Sequence, residues 1–500
     1  DMSKARCIMV QGTMSGAGKS LLCAALCRIF AQDGYRVAPF KSQNMALNSF
    51  VTRDGLEMGR AQVVQAQAAG IEPDVRMNPI LLKPSSDVGS QVIVNGEVRG
   101  QMPAAAYFKM KKSLIPDILA AYNSLAEDVD IIVIEGAGSP AEINLKADDI
   151  VNMGLARLVD APVLLAGDID RGGVFAQLYG TVALLEPDER ARIKGLIINK
   201  FRGDVEILRP GLAMLEEKTH LPVLGVVPYT RADIEDEDSL SERLQSSKAV
   251  KPLDAAVVRL PHISNFTDFM PLEQHPLLGV RYVQNVRELG SPDLIILPGT
   301  KNTVADLLWL RQCGLEAAVQ KLAKRGTPIL GVCGGYQMLG RTLDDTLGSE
   351  SGQPQTLRGL ALLPTDTVFT AEKHRAQVTA TAAAPFAGAS LTGYEIHTGR
   401  TAVQGSAFCT QTDGTPEGCV QGAVFGTYLH GLFDSGELTE KLAAYLCRQK
   451  GLCPEAAAPI SMERYRAQQF DLLADSVRAA LDLPAVYAAM GLPSSKEGLL

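Results

Sequence analysis

The chain has 500 residues, 46% of them hydrophobic and 21% charged, so it is long enough to bury two or more globular cores. Its net charge of −8 argues against a nucleic-acid-binding role that rests on a broad basic surface. No apolar run approaches the roughly 18 residues that suggest a membrane helix, so we expect no membrane association of that kind.

The nine cysteines are scattered along the chain, and none of them forms a CxxC pair. An odd, scattered set argues against a disulfide framework and a structural zinc site, and it predicts a reducing, cytoplasmic location. The residues before the first glycine loop lack a long apolar stretch, so we expect no signal peptide.

The first half of the chain alternates apolar strands with helical segments. The predicted strands are Cys7–Gln11, Arg36–Phe40, Asp130–Glu135, Pro162–Asp168 and Lys194–Lys200. Apolar strands that are separated by helices indicate a parallel sheet covered on both faces.

A glycine-rich loop, Gly12–Ser20, stands between the first predicted strand and the first helix. Backbone N–H groups of such a loop wrap phosphate oxygens, while its lysine reaches the outer phosphates and its serine hydroxyl binds Mg²⁺. This loop is one residue longer than the usual phosphate-loop spacing. We predict an ATP site whose loop contacts come from Thr13, Gly16, Gly18, Lys19 and Ser20.

Two charged residues at strand ends extend this predicted site. Glu135 ends a strand, where a carboxylate faces the ligand crevice of a parallel sheet, so we expect it to hold Mg²⁺ together with Ser20. A helix cap is the structural alternative for Glu135. Lys41 ends the second strand and is expected to add positive charge at the phosphates, with a solvated lysine as the alternative.

The chain becomes polar between Thr230 and Lys251, and there we place the boundary between two domains. The first domain covers residues 1–245, a linker covers residues 246–252, and a second α/β domain covers residues 253–450. Residues 451–500 have the pattern of an amphipathic helical tail. The strands predicted in the second domain are Asp254–Leu260, Gly279–Val283, Leu294–Leu297, Pro328–Val332, Arg358–Leu363 and Ala423–Thr427.

One turn in the second domain carries a cysteine between glycines. An apolar strand leads into Gly331-Val332-Cys333-Gly334-Gly335, and a helical pattern follows. This is the pattern of a nucleophile elbow, which places the side chain at a helix N-terminus where a thiolate is favoured. We therefore predict that Cys333 is a nucleophile, with a buried structural cysteine as the alternative.

Further residues fit the chemistry of such a thiol. His430 ends a strand 97 residues after the cysteine, and it can take the thiol proton and return it to a leaving amine. Gly299 follows a strong apolar strand. Its backbone N–H and that of Gly334 are expected to form an oxyanion hole.

Together these motifs carry a family resemblance. The second half resembles a class I glutamine amidotransferase domain, and the first half resembles a P-loop amidoligase domain of the dethiobiotin synthetase type. In this order, the whole chain resembles the cobyric acid synthase group of the CobB/CobQ amidotransferase family. The most specific segments are Phe40–Ser49, Gly59–Gln62, Met77–Pro84, Gly167–Phe175, Ile198–Gly203, Asn265–Phe269 and Gly393–His397.

The resemblance implies an α/β fold with those two domain types, and it implies a reaction. ATP, Mg²⁺ and glutamine would amidate the b, d, e and g carboxylates of adenosylcobyrinic acid a,c-diamide, which is a corrinoid polycarboxylate. It also implies that Asn199 and Lys200 lie near the adenine. No nucleic acid, membrane or obligatory protein partner is implied.

One position departs from the usual amidotransferase triad, in which an acid two residues after the histidine orients the imidazole. Leu432 stands at that place. Either Glu395 or another acid substitutes, or the site works as a dyad. Three rival functions remain, namely cobyrinic acid a,c-diamide synthase, a ParA-like nucleotide switch, and an ATPase whose cysteine domain only binds.

Overall fold

The computed structural model describes residues 4–86, 89–235, 251–452 and 462–499. The chain divides into two compact units. The first unit is made of Asp1–Ala46, Leu56–Asp238 and Arg466–Leu500, and the second of Leu47–Gly55 and Ser239–Tyr465. Most of the linker predicted at residues 246–252 lies outside the described residues.

The first unit is built on a six-stranded sheet, and every pair of neighbouring strands in it is parallel. This confirms the predicted parallel-sheet domain. From one edge to the other, the strands are Val223–Pro228, Ile193–Phe201, Val163–Asp168, Arg6–Gly12, Ile131–Glu135 and Val37–Phe40. The strands Ile131–Glu135 and Val163–Asp168 are buried throughout and carry no charged residue before the acid that ends each of them, which suits a sheet that is covered on both faces.

Helices and a second, smaller sheet complete the first unit. The smaller sheet contains Gln43–Met45, Ile80–Ser86, Gly89–Val94 and Glu97–Pro103, and Glu57–Gly59 is a further short strand. The α-helices are Lys19–Gln32, Arg60–Ala69, Ala104–Met110, Ile115–Asp128, Met153–Val159, Val174–Leu184, Pro187–Arg192, Val205–Thr219 and Leu483–Met490. The 3₁₀ helices are Val75–Met77, Lys111–Leu114, Ile143–Asp148 and Lys496–Leu499.

The C-terminal tail is helical and packs into the core of the first unit. The helix Met462–Ala480 contributes Phe470 and Val477 to a buried cluster that also contains Ile29 and Phe30 of the helix after the phosphate loop. The ring of Tyr487 lies 5.2 Å from the ring of Phe30. The tail therefore supports the helix that carries the predicted phosphate-binding residues.

The second unit has its own six-stranded sheet. The strand order is Leu278–Val283, Leu253–Val258, Leu294–Leu297, Ile329–Val332, Val424–Thr427 and Cys419–Gln421, and only the last strand is antiparallel to its neighbour. Its helices are Met270–Glu273, Val286–Leu289, Thr303–Gln312, Leu315–Lys324, Gly334–Leu339 and Glu437–Lys450, with a 3₁₀ turn at Phe266–Phe269.

A second, mostly antiparallel sheet is centred on a long hairpin of Thr365–Ala382 and Ser390–Val403. Its other strands are Thr342–Asp345, Gln355–Arg358, Cys409–Gln411 and Pro416–Glu417, and short strands elsewhere in the unit are Ser49–Val51, Ile263–Ser264 and Gly299–Thr300. The strand predicted at Arg358–Leu363 is wrong, because the strand ends at Arg358. Leu360 and Leu363 are buried in an irregular segment whose backbone bonds to residues 338–340, so their apolar pattern reflects burial alone.

Close packing fixes the turn around Cys333. A Cβ at Gly335 would lie 1.9 Å from the carbonyl oxygen of Leu297, and a Cβ at Gly331 would lie 2.7 Å from the carbonyl oxygen of Gly335. Real Cβ atoms do not approach backbone oxygens so closely. The strand and the helix that follows it can therefore meet only because both positions are glycine.

Among the described residues, no helix combines the length and the apolar character that crossing a bilayer requires.

We expect Gly335→Ala to destabilise the second unit by more than about 3 kcal/mol, because the new methyl group must push two backbone segments apart. Thermal unfolding of the full chain, followed by circular dichroism, checks this. Gly180→Ala is the control, since a Cβ there meets nothing within 4 Å and alanine favours a helix. Equal melting curves for the two variants would contradict the packing argument.

Candidate active sites

The phosphate loop of the first unit is held in shape by residues at the end of the strand Ile193–Phe201. Gly18 has φ 87°, and a Cβ there would lie 2.2 Å from Nδ2 of Asn199. That amide nitrogen donates to the carbonyl oxygen of Ala17 at 2.9 Å, and Nζ of Lys200 donates to the carbonyl oxygen of Gly16 at 2.7 Å. Asn199 and Lys200 therefore contact the loop itself, and their proximity to adenine stays a prediction.

Two further loop residues, Lys19 and Thr13, donate hydrogen bonds to backbone carbonyl groups. Lys19 is 6% exposed, and its ammonium group donates to the carbonyl oxygens of Met14 and Gly138, both at 3.1 Å. Thr13 donates from its backbone N–H to Ala166 at 2.9 Å. The ammonium group of Lys19 thus lies across the loop, where it can reach a phosphate that the loop encloses.

The carboxylate of Glu135 gathers hydrogen bonds around the helix start. Ser20 donates to it at 2.7 Å, Gln65 donates at 2.7 Å, and Nζ of Lys41 lies 3.3 Å away. Burial alone would raise the pKa of Glu135, but the charge of Lys41 and these hydrogen bonds outweigh burial and lower it. Glu135 is therefore ionised at neutral pH, and with the Ser20 hydroxyl it offers the oxygen ligands that Mg²⁺ prefers.

In the second unit, Cys333 adopts φ 52° and ψ −110°, a strained backbone conformation for a residue with a side chain. Its backbone N–H donates to the carbonyl oxygen of Thr427 at 2.8 Å, which ties the elbow to the next strand. Its Sγ lies 3.6 Å from the carbonyl oxygen of Ile396. The strain is typical of a nucleophile elbow, and it aims the thiol at the hairpin strand that carries Ile396.

The histidine beside this thiol has an acid partner. Nδ1 of His430 lies 2.7 Å from Oδ2 of Asp268. The other oxygen of Asp268 accepts from the backbone N–H of Gly431 at 2.8 Å. Burial would lower the pKa of His430, but the charge and the hydrogen bond of Asp268, together with the neighbouring Cys333 side chain, raise it to about 10.

Asp268 is the acid that sequence reasoning missed. It lies 162 residues before His430, in the 3₁₀ turn Phe266–Phe269. Glu395, the substitute suggested by the sequence, is not the partner of His430. It bonds to Nε2 of a different histidine, His374, at 2.8 Å. The only sequence signal for Asp268 was its place in the segment Asn265–Phe269.

The two glycines predicted to form the oxyanion hole both lie at the elbow. A Cβ at Gly299 would lie 3.2 Å from Cε1 of His430, and a Cβ at Gly334 would lie 3.2 Å from the backbone nitrogen of Thr300. The strand that contains Gly299 therefore runs beside the start of the helix that follows Cys333. Their role as N–H donors to an oxyanion stays a prediction.

Among the described residues, one group of three side chains has donor atoms close enough to share a metal ion, namely His374, Glu395 and His397. The bond between Glu395 and His374 raises the pKa of this histidine, which is the behaviour of an ion pair. His397 donates from Nδ1 to Gly399 at 2.7 Å, and burial lowers its pKa to about 4. The internal pairing accounts for two of the three residues without a metal.

Comparisons with known proteins identify a known domain type in each unit. Residues 8–241 match the model of the CobQ/CobB/MinD/ParA nucleotide binding domain, and residues 254–438 match the CobB/CobQ-like glutamine amidotransferase domain.

Whole-length relatives are also similar to the chain. The protein named cobyric acid synthase from Lachnoclostridium phytofermentans is 57% identical, over 97% of this chain and 99% of the relative. Those of the same name from Ruminiclostridium cellulolyticum and Citrobacter koseri are 55% and 51% identical, each over 97% of this chain and over 96% and 98% of the relative. The chain belongs to the cobyric acid synthase family.

Proposed function

We propose that this chain is a glutamine-hydrolysing amidoligase that amidates the b, d, e and g carboxylates of adenosylcobyrinic acid a,c-diamide. The observation that carries the proposal is the Asp268–His430 pair beside the elbow cysteine Cys333, in one unit of a chain whose other unit holds a phosphate loop. The name shared by the relatives supports the corrinoid substrate, and no observation favours the a,c-diamide synthase or the nucleotide switch.

The first unit activates the carboxylate. A carboxylate is a poor acyl donor because oxide would be its leaving group, and transfer of the γ-phosphoryl group of ATP converts it to an acyl phosphate with ADP as the other product. Lys19 and the loop N–H groups stabilise the transferring phosphoryl group. Ser20 and Glu135 would hold Mg²⁺, which neutralises phosphate charge when bound. Ammonia then attacks the acyl carbon and phosphate leaves.

The second unit supplies the ammonia. The proton of the Cys333 thiol is held on His430 when the sulfur attacks the side-chain amide of glutamine, and the N–H groups of Gly299 and Gly334 stabilise the oxyanion. His430 returns the proton to the leaving nitrogen as ammonia departs, and water hydrolyses the thioester to glutamate. Asp268 fixes the tautomer of His430 and stabilises the imidazolium that forms.

An open cavity in the second unit is lined by side chains of both charges. Its lining includes Glu372, Lys373, His397 and Arg400, so both signs of charge are present, as a zwitterion requires. His397 follows Ile396, whose carbonyl oxygen lies next to the Cys333 thiol. We propose that glutamine enters by this cavity.

We expect Cys333→Ala to lower glutamine-dependent amidation by at least about a thousandfold, because the acyl-enzyme can no longer form. Amidation with added ammonium should persist. Product formation with each nitrogen source checks this, with Cys313→Ala as the control for loss of a free thiol outside the site. A folded Cys333→Ala variant that lost both activities would refute the division of labour.

Lys19→Ala should abolish amidation with glutamine and with ammonium alike, because the phosphoryl transfer loses its positive charge at the outer phosphates. The measurement is ADP formation in the presence of the corrinoid substrate. Lys194→Ala removes an exposed lysine of the same unit and should behave as the parent. A fully active Lys19→Ala enzyme would contradict the assignment of this loop as the phosphate-binding site.

Asp268→Asn should lower kcat for glutamine hydrolysis by about a hundredfold or more, since the imidazolium of His430 loses its counter-charge. Glu395→Gln is the matched comparison, because Glu395 pairs with His374, and it should retain most of the activity. Glutamate release by each purified variant measures the difference. If the Glu395 variant loses more activity than the Asp268 variant, the triad described here is wrong.

A further inference from the structure

A short segment from the first part of the chain belongs to the second unit. Leu47–Gly55 groups with Ser239–Tyr465, although the strands Gln43–Met45 and Glu57–Gly59, which flank it in sequence, belong to the first unit. Asn48 and Ser49 are 4% and 1% exposed. The segment is therefore packed within the second unit, and its contacts there show what it does.

One contact reaches the turn that carries the acid of the triad. Oδ1 of Asn48 accepts from the backbone N–H of Asn265 at 2.7 Å. Asn265 has φ 52° and immediately precedes the turn Phe266–Phe269, and its carbonyl oxygen accepts from the backbone N–H of Asp268 at 3.0 Å. Asn48 thus satisfies a buried donor at a left-handed residue three positions before Asp268, where an unpaired N–H would be costly.

A second contact reaches the histidine. The hydroxyl of Tyr394 donates to the carbonyl oxygen of Ser49 at 3.1 Å and accepts from Nδ2 of Asn265 at 3.3 Å. The backbone of Tyr394 exchanges two hydrogen bonds with His430, of 3.1 and 2.8 Å, and their rings lie 5.4 Å apart. Tyr394 therefore connects the segment to the base of the triad.

The segment also adds apolar packing behind the thiol. Val51 shares a small buried cluster with Tyr394 and Ile396, and the ring of Phe50 lies 5.1 Å from that of Tyr394. The backbone carbonyl of Val51 accepts from Gln377 of the hairpin at 3.2 Å. The segment is thus anchored on both strands of the hairpin that faces Cys333.

We propose that Asn48 is a positioning residue for glutamine hydrolysis, acting through Asn265 on the Asp268–His430 pair. In sequence the segment lies between two strands of the nucleotide-binding unit, and in the structure it packs in the unit that carries the triad. The inference rests on the proposed function, since it assigns Asn48 to the same glutaminase site.

The test uses the full-length enzyme carrying Asn48→Leu, which keeps the branched side-chain skeleton but removes the acceptor. We expect kcat for glutamine hydrolysis to fall roughly ten- to a hundredfold, because a small displacement of a catalytic group is costly. KM for glutamine and amidation with ammonium should stay close to the parent values. Asn48→Asp keeps an acceptor oxygen at the same place and should restore most of the lost kcat.

Controls separate positioning from general damage. Asp54→Ala changes an exposed residue of the same segment and should match the parent. If Asn48→Leu does not fold, Tyr394→Phe removes the hydroxyl between Ser49 and Asn265 and should lower kcat in the same direction. An unchanged kcat, an Asn48→Asp variant as slow as Asn48→Leu, or an equal loss of ammonium-dependent amidation would each overturn the proposal.

Failure of this inference is distinguishable from failure of the proposed function. Cys333→Ala measured in the same glutaminase assay reports on the function alone. If Cys333→Ala hydrolyses glutamine as fast as the parent, the proposed function fails. If Cys333→Ala is inactive while Asn48→Leu matches the parent, only the role of Asn48 fails.

Discussion

The backbone at Cys333 is the constraint on which the glutaminase site depends. A side-chain-bearing residue at φ 52° is unfavourable, and here it persists because the strand before it and the helix after it are packed to contact distance. That packing requires glycine at positions 331 and 335. This packing holds the sulfur of Cys333 in one position, between His430 and the hairpin. The other residues of the site are arranged around that position.

The phosphate loop also depends on an unusual backbone conformation that neighbouring residues hold in place. Gly18 adopts a left-handed conformation at the start of a helix, and Asn199 and Lys200 bond to backbone oxygens of the loop. In both units, a strand ends, the chain turns sharply at glycine, and a helix N-terminus begins beside the reactive group. Under the proposed function, this arrangement places N–H groups where negative charge is to be held, on phosphates in one unit and on an oxyanion in the other.

Local motifs could be predicted from sequence, and long-range partners could not. The elbow at Cys333 and the loop at Lys19 each lie within one short stretch, where glycine spacing and strand pattern carry the signal. Asp268 lies in a turn between two phenylalanines and meets His430 only through the fold, so the sequence could not choose among Glu395, another acid and a dyad. The strand predicted at Arg358–Leu363 was also wrong because of contacts distant in sequence. Its buried leucines lie in an irregular segment, and in the sequence they have the apolar pattern of a strand. Asn48 was part of a family segment, but nothing in that segment indicated which unit it packs in.

The chemistry explains why one chain carries both sites. Ammonia is mostly protonated at neutral pH, so an acyl phosphate is best served by ammonia released within the same enzyme. The most direct test is mass spectrometry of the corrinoid product made from adenosylcobyrinic acid a,c-diamide with ATP, amide-¹⁵N-labelled glutamine and unlabelled ammonium at low concentration. The account predicts four added amides that carry mostly ¹⁵N. Two amides or none, or four amides that carry the unlabelled isotope, would contradict it.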